Sequence, residues 1–536
     1  MKLNLLHIVY TTVIILCLFL AIFGCEWTKI ISLLLFCFWI FQGNYKKTFG
    51  SLVHNKIATC FLITFALLFF RFVVQIPSPN AIQNIMKYLP LLICPFVIGS
   101  SCCVDATKKF WIFFSYVTFI LINTLFCFGL FISRDSSILN TRAISLFMPF
   151  LDYSLYVILA IAVCIHYLLF ENRELSIFKK YYLTISTIWL LFFVIYLKSL
   201  TGYITLFTSI FFSTIYFSKK FIKKNFVTSF FLLTTLLLTG LLYSEAKYFL
   251  FLDKCNVEEL ETQTELGNPY THTISRDAEN GHLVSIYICE KEIEDAWQER
   301  TQQSVWSKDR WGNIYYYTLL RYMTSKNLKK DASGFSRLSD DDIKAIQNGF
   351  TNYRFTNNKN PFKRIYEAFW ELNTYYAKGN PNGHSIIQRF EFYKCAFSVI
   401  KKHFWFGCGD SVNAKLQQVY SEEKILTANR WHLPHNQFIL LTCICGCVGL
   451  IIYIFSLLGI IYFSKKSIDI IKITWFIIIL IANCSKDFLN DISGQLLYGF
   501  IGPLIFITFS KSDENVNPIE LSQDDSSIST RTEKNT

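Results

Sequence analysis

Apolar residues in this chain gather into long runs without a charged side chain, residues 110–133 and 433–463 among them. Each exceeds the roughly 18–20 apolar residues that carry a helix across a bilayer, a length that a soluble core does not require. Runs of this kind predict about twelve spanning helices, near 5–23, 30–41, 57–76, 88–101, 110–132, 147–170, 182–197, 201–217, 227–250, 438–463, 470–484 and 496–510. The second, fourth and eleventh are short or interrupted by proline. Between 251 and 434 the composition turns to that of a soluble domain, and after 510 acids, serines and threonines replace the apolar residues. The pattern predicts an all-α polytopic membrane protein with nine spans in 1–250, a large and mostly helical outer loop domain in 251–434, three spans in 435–510 and a disordered cytoplasmic tail in 511–536.

Charge orients this arrangement. With the N-terminus inside, the inner loops hold Lys46, Lys47, Lys56, Lys108, Lys109, Arg173, Lys179, Lys180, Lys219, Lys220, Lys223, Lys224, Lys465 and Lys466. The short outer loops carry about half as many, including Arg71, Lys87, Arg134, Arg142, Lys198 and Lys486. Cytoplasmic loops of membrane proteins are the Lys/Arg-rich ones, so the even span count and a cytoplasmic C-terminus agree. The same bias accounts for most of the net charge of +12, and no nucleic-acid partner is needed to explain it. The first run, with Lys2 ahead of it and Gly24-Cys25 behind, has the outline of a secretory signal. Phe23 before that pair and the many spans that follow favour a retained helix.

Most of the 17 cysteines sit inside apolar runs, where Cys acts as a small hydrophobe. Cys255 and Cys289 lie in the large loop and could pair in an oxidising compartment. No CxxC or Cys/His spacing suits a metal, so no zinc site is expected.

The loop domain is where aqueous chemistry is expected. Ser339-Asp340-Asp341-Asp342 ahead of Ile343 and Ile346 reads as a capped helix start rather than a cation site. Residues 362–376 and 386–402 read as helices, the second with Phe390, Tyr393, Phe397 and Ile400 on one face. Residues 251–300 are acid-rich and 354–402 basic, and a basic surface beside a leaflet suits lipid headgroups or diphosphates, or is simply a solvated face. Arg389 opens one helix and is followed by Phe406-Gly407-Cys408-Gly409-Asp410, a fixed guanidinium and then a turn that permits close backbone approach. His435-Asn436-Gln437-Phe438-Ile439 opens a late apolar run in which Gly446 and Gly449 follow. A neutral imidazole at the outer mouth of a span can accept a proton near physiological pH, or can simply cap the helix. Asp487 and Asp491 lie beside Lys486 in the last outer loop, where they could contact substrate or, the favoured reading, pair with that Lys.

In this order the segments resemble the O-antigen ligase and polymerase superfamily of bacterial surface-polysaccharide assembly. Its Arg-led helix, Gly-x-Gly turn, His-Asn-x-x-Leu helix start and Gly-x-x-Gly are matched by Arg389, Gly407 and Gly409, His435 to Ile439, and Gly446 to Gly449, with Ile439 in place of Leu. The resemblance implies a GT-C-like membrane glycosyltransferase of the inner membrane, needing no metal, nucleotide sugar or other cofactor, with its active site facing the periplasm. The implied donor is a glycan on undecaprenyl diphosphate and the acceptor a hydroxyl of the lipid A core or, in a polymerase, of another glycan. It further implies His435 as the proton acceptor and Arg389 as the diphosphate partner, with Gly407, Gly409 and Asn436 lining the substrate site. Ligases carry a second Arg at a mid-chain span end, where this chain has Lys198-Ser199-Leu200-Thr201-Gly202. Leu200 stands in the Arg position, leaving Lys198, Arg134 or Arg142 to supply the charge.

Overall fold

The computed structural model describes residues 2–24, 27–43, 45–73, 81–100, 106–133, 141–171, 175–221, 224–252, 256–356, 362–382, 385–423 and 431–507. Helices coincide with all twelve apolar runs. A bilayer enforces this, because a spanning segment must satisfy its own backbone hydrogen bonds. Five helices are long and apolar enough to cross a membrane, Thr107–Ser133, Phe150–Phe170, Ile177–Leu197, Leu200–Phe217 and Gln437–Ser464. Thr48–His54 and Lys56–Phe72 bend by 87° and form a sixth if they are one span. The remaining apolar helices include Leu89–Ser100, with Pro95 inside it, and Ile470–Ser485. The chain is a multi-pass membrane protein.

Its main core joins these helices. Tyr156 donates to the Ser493 carbonyl at 2.9 Å, Trp475 to the Leu497 carbonyl at 3.0 Å, and Tyr498 meets Thr64 at 2.7 Å, each side chain fully buried. Bulky aromatics whose polar tips find partners suit an interior without water.

Packing divides the expected 251–434 domain in two. Residues 284–350 have their own core around Trp297, Leu319, Met323 and Ile346. Ser339 caps Asp340–Gln347 in a capping box with Asp342, the helix start expected of that acidic run. Asn280 and Gly281 (φ 52° and 96°) turn the chain between the strands Ala278–Glu279 and His282–Leu283. Fully buried Glu279 then accepts from Arg321 at 2.7 Å, Tyr366 at 2.7 Å and Asn352 at 2.9 Å. Arg354 grips Glu245 of the helix Lys224–Leu250 with both nitrogens, at 2.8 and 3.1 Å. The segment after 385 behaves differently. Phe392, Ala396, Val399, Val412, Leu416 and Tyr420 pack into the membrane core, as a hairpin of the helices Ser385–Lys402 and Val412–Glu423.

The first helix of this hairpin runs beside the start of Gln437–Ser464 in the same direction. Phe392 lies by His435, the Ala396 carbonyl by Cys443, and the Phe404 carbonyl accepts the Cys447 N–H at 2.8 Å. The docking occurs where Gly446 breaks the helix with φ 68° and ψ −174°, a region essentially reserved for glycine. Residues 447–464 alone rise about 27 Å at ~1.5 Å per residue, close to the ~30 Å hydrocarbon core. Cys289 is a free, buried thiol, while Cys255, Arg134 and the tail from 508 lie outside the described residues.

Gly446→Ala should destabilise the detergent-solubilised protein by about 1–3 kcal/mol from backbone strain alone, and by more because the new Cβ would overlap the Trp405 carbonyl. Thermal melting against the parent checks this; an unchanged melting temperature contradicts the break.

Candidate functional site

Asn436 caps the helix Gln437–Ser464, its Oδ1 accepting the Ile439 N–H at 3.1 Å and its Nδ2 donating to the Cys484 carbonyl at 3.4 Å. His435, just before the cap, holds a left-handed backbone (φ 54°) that side-chain-bearing residues seldom adopt. Its ring meets Phe392 edge-to-face at a centroid distance of 5.9 Å, with the His432 ring 5.8 Å away. Phe392 follows Arg389 by one helical turn, so the two share a face of Ser385–Lys402. The Arg389 guanidinium has no carboxylate partner and no hydrogen bond among the described residues, and its charge is felt at His435. The structure thus brings together the two residues singled out as catalytic, which stand on separate helices.

Asp487 completes this group. Its Oδ2 stands 3.5 Å from Nδ1 of His435, within ion-pair reach and longer than a formed hydrogen bond. Burial, then the charges of Arg389, His432 and Lys486, hold the His435 imidazole down to about 4. Burial pushes the Asp487 carboxyl up to about 6, against the pull of the His435 and Asn436 backbone N–H groups and of Lys486. At neutral pH a neutral imidazole therefore faces an ionised carboxylate. A carboxylate only accepts, so the proton belongs on Nδ1 and Nε2 keeps its lone pair. Such an imidazole can accept a proton at Nε2.

The turn that carries Asp487 is tied down on several sides. Leu489 donates its N–H to Gln437 at 2.9 Å and receives Gln495 on its carbonyl at 2.9 Å. Asn490 accepts from Tyr88 at 2.8 Å and Lys87 at 3.2 Å. Buried Arg71 in turn donates to Tyr88 at 3.2 Å and pairs with Asp410 at 3.0 Å. Lys486 binds Asp152 at 2.6 and 2.7 Å and Asp491 at 2.5 Å. The expectation that Asp487 also serves Lys486 is corrected, since its carboxylate turns to His435 instead.

The other expected site residues lie as follows. Gly407 (φ 73°) and Gly409 (φ 57°) hold the turn that docks on the broken helix, and a Cβ on Gly407 would overlap the Ile444 carbonyl. The close backbone approach expected there is made with the protein's own helix. Lys198 is a left-handed cap (φ 53°) on Ile177–Leu197, its ammonium lowered by burial and by the charge of Lys363. No described bond links it to Arg389 or His435. Arg142 falls in the turn Thr141–Ile144, its side chain outside the described residues. A cavity of about 300 Å³ bordered by Ile165, Ser209, Ser213 and Phe217 lies toward the opposite ends of the helices and is lined by none of these groups.

Residues 316–454 match the family model described as O-antigen ligase, a segment that contains Arg389, the Gly407 turn and His435. No curated protein matches the chain.

Because cations lower the His435 pKa, Arg389→Ala should raise it. Site-resolved diethylpyrocarbonate labelling across pH should place the parent midpoint well below the ordinary 6.5 and move it upward in the variant. A parent midpoint near 6.5 that ignores the substitution contradicts the juxtaposition.

Proposed function

For a chain with an O-antigen ligase domain at residues 316–454, we propose that the His435 end transfers a glycan from undecaprenyl diphosphate to a sugar hydroxyl of the lipid A core. The observation that carries the reading is the His435 imidazole 3.5 Å from the Asp487 carboxylate, near the Arg389 guanidinium, which has no carboxylate partner among the described residues, at one end of a membrane bundle. Nε2 of His435 takes the proton of the acceptor hydroxyl while that oxygen attacks the anomeric carbon. The bond from that carbon to the diphosphate breaks, and undecaprenyl diphosphate leaves with the electron pair. Arg389 faces the charge that develops on it, a planar fork that a lysine replaces poorly. Asp487 keeps the Nδ1 proton in place and stabilises the imidazolium that forms. Lys198 and Arg142 are proposed as further contacts for the diphosphate, and Asn436, Gly407 and Gly409 are proposed to shape the substrate site indirectly, by holding the helix cap and the turn docked on that helix. Donor and acceptor both being membrane-borne, the site is assigned to the periplasmic face of the inner membrane.

A polymerase using another repeat unit as acceptor would employ the same residues. Deleting the gene separates the two. Bare lipid A core with polymer retained on its carrier supports the ligase, and core capped by a single repeat overturns it in favour of the polymerase.

In lipid-reconstituted protein, His435→Ala should lower kcat on the order of 10²–10⁴-fold, and Arg389→Ala on the order of 10²–10³-fold. The rate should also fall as pH drops through about 6, where Asp487 gains a proton and no longer holds Nδ1–H as an anion. Asp487→Asn should remove that acid limb at a lower overall rate. Parental rates in both alanine variants would remove the catalytic assignment.

A further inference from the structure

Asp152 stands in the first turn of the helix Phe150–Phe170, with 0% exposure. A charge placed there is costly, and membrane helices keep such groups where a partner and a role hold them. The partner is Lys486, whose ammonium meets both Asp152 oxygens at 2.6 and 2.7 Å, and the Ser493 hydroxyl also donates to this carboxylate. Asp491, half exposed, takes a further Lys486 proton. The transfer chemistry described above uses none of these four residues.

Their placement matters through the next residue. Lys486 has an extended backbone, with φ −160° and ψ 171°. Consecutive side chains on extended backbone point to opposite sides. A Lys486 side chain held against Phe150–Phe170 therefore leaves Asp487 directed away from that helix, where it meets Nδ1 of His435. Released from Asp152, the ammonium keeps only Asp491 as a partner and can turn toward Asp487, to compete with the imidazole for its carboxylate. The charged groups around this pair are Arg389, His432 and Lys486 about His435, and Lys486 and Asp491 about Asp487.

We propose that Asp152 is a positioning residue, acting through Lys486 to aim Asp487 at His435, an inference that rests on the catalytic reading of His435. Asp152 lies 334 residues from Lys486 in sequence, and none of its described bonds reaches the imidazole.

The test uses full-length protein in lipid vesicles, supplied with undecaprenyl-diphosphate-linked glycan and lipid A core. Asp152→Asn should lower kcat on the order of 10²-fold, the effect of a displacement of about 1 Å at the reacting groups. KM for the donor should stay within about twofold, as no substrate-binding group is removed. The acid limb near pH 6 should move, because Lys486 then bears on Asp487 directly. The double variant Asp152→Asn/Lys486→Met removes both charges of that buried pair together, so it should fold where the single variant fails to. It should recover the parental melting temperature without recovering kcat. A double variant with parental kcat, or a folded single variant with parental kcat and pH profile, overturns the proposal. His435→Ala is run alongside. If it keeps parental activity, the catalytic reading itself falls; if it is inactive while the double variant is fully active, only the role of Asp152 falls.

Discussion

A bilayer offers no water to an interrupted backbone, so the break at Gly446 needs protein partners for the groups it frees. The stretch 404–408 supplies them. The carbonyls of Phe404 and Trp405 accept from Cys447 and Val448 at 2.8 and 3.3 Å, and the Cys408 N–H donates to the Cys443 carbonyl at 2.8 Å. Glycine is required on both sides, because a side chain at either 407 or 446 would enter the other strand's backbone. This exchange fastens the helix bearing Arg389 to the helix that His435 precedes. Without it the two groups would stand on independent segments.

Ion pairs in the protein divide by what surrounds them. Lys329–Glu261 is 42% and 59% exposed, and such pairs contribute about 0–1 kcal/mol. Arg71–Asp410 and Lys486–Asp152 are buried, their side chains no more than 9% exposed. Desolvation offsets most of the attraction in pairs of that kind, yet removing one partner costs about 3–5 kcal/mol. Their contribution is geometric. One anchors the glycine turn to the helix Lys56–Val73, and the other anchors the turn of Asp487 to Phe150–Phe170.

Much of the membrane architecture is legible in the sequence, because charge-free runs have few alternatives to spanning helices. Arg389 and His435 were legible as types of residue at helix starts, and Ser339 to Asp342 as a cap. The hairpin of 385–423 was not, since its helices carry Lys394, Lys401 and Lys402 and read as soluble. The face expected from Phe390, Tyr393, Phe397 and Ile400 is not the one that packs, since Phe390 and Phe397 are exposed while Phe392, Ala396, Val399 and Ile400 enter the core. Asp487 was hidden by a neighbour, as Lys486 beside two aspartates suggests a local cluster and nothing in the order of residues says which carboxylate faces away. Pairs that cross hundreds of residues, such as Arg71 with Asp410, leave no local pattern at all.

The Glu245–Arg354 fork has a mechanical consequence. Arg354 also lies over the Tyr248 ring, 4.5 Å from its centroid, and Phe249, Phe355 and Tyr366 close a small apolar core around the same junction. Glu279 behind it fastens Arg321 and Asn352 to Tyr366. A module joined to the ninth apolar helix in this way has to separate a part-buried guanidinium from a buried carboxylate before it can swing as a flap. The contacts that join it to the bundle therefore converge on one junction, around Glu245 and Tyr366.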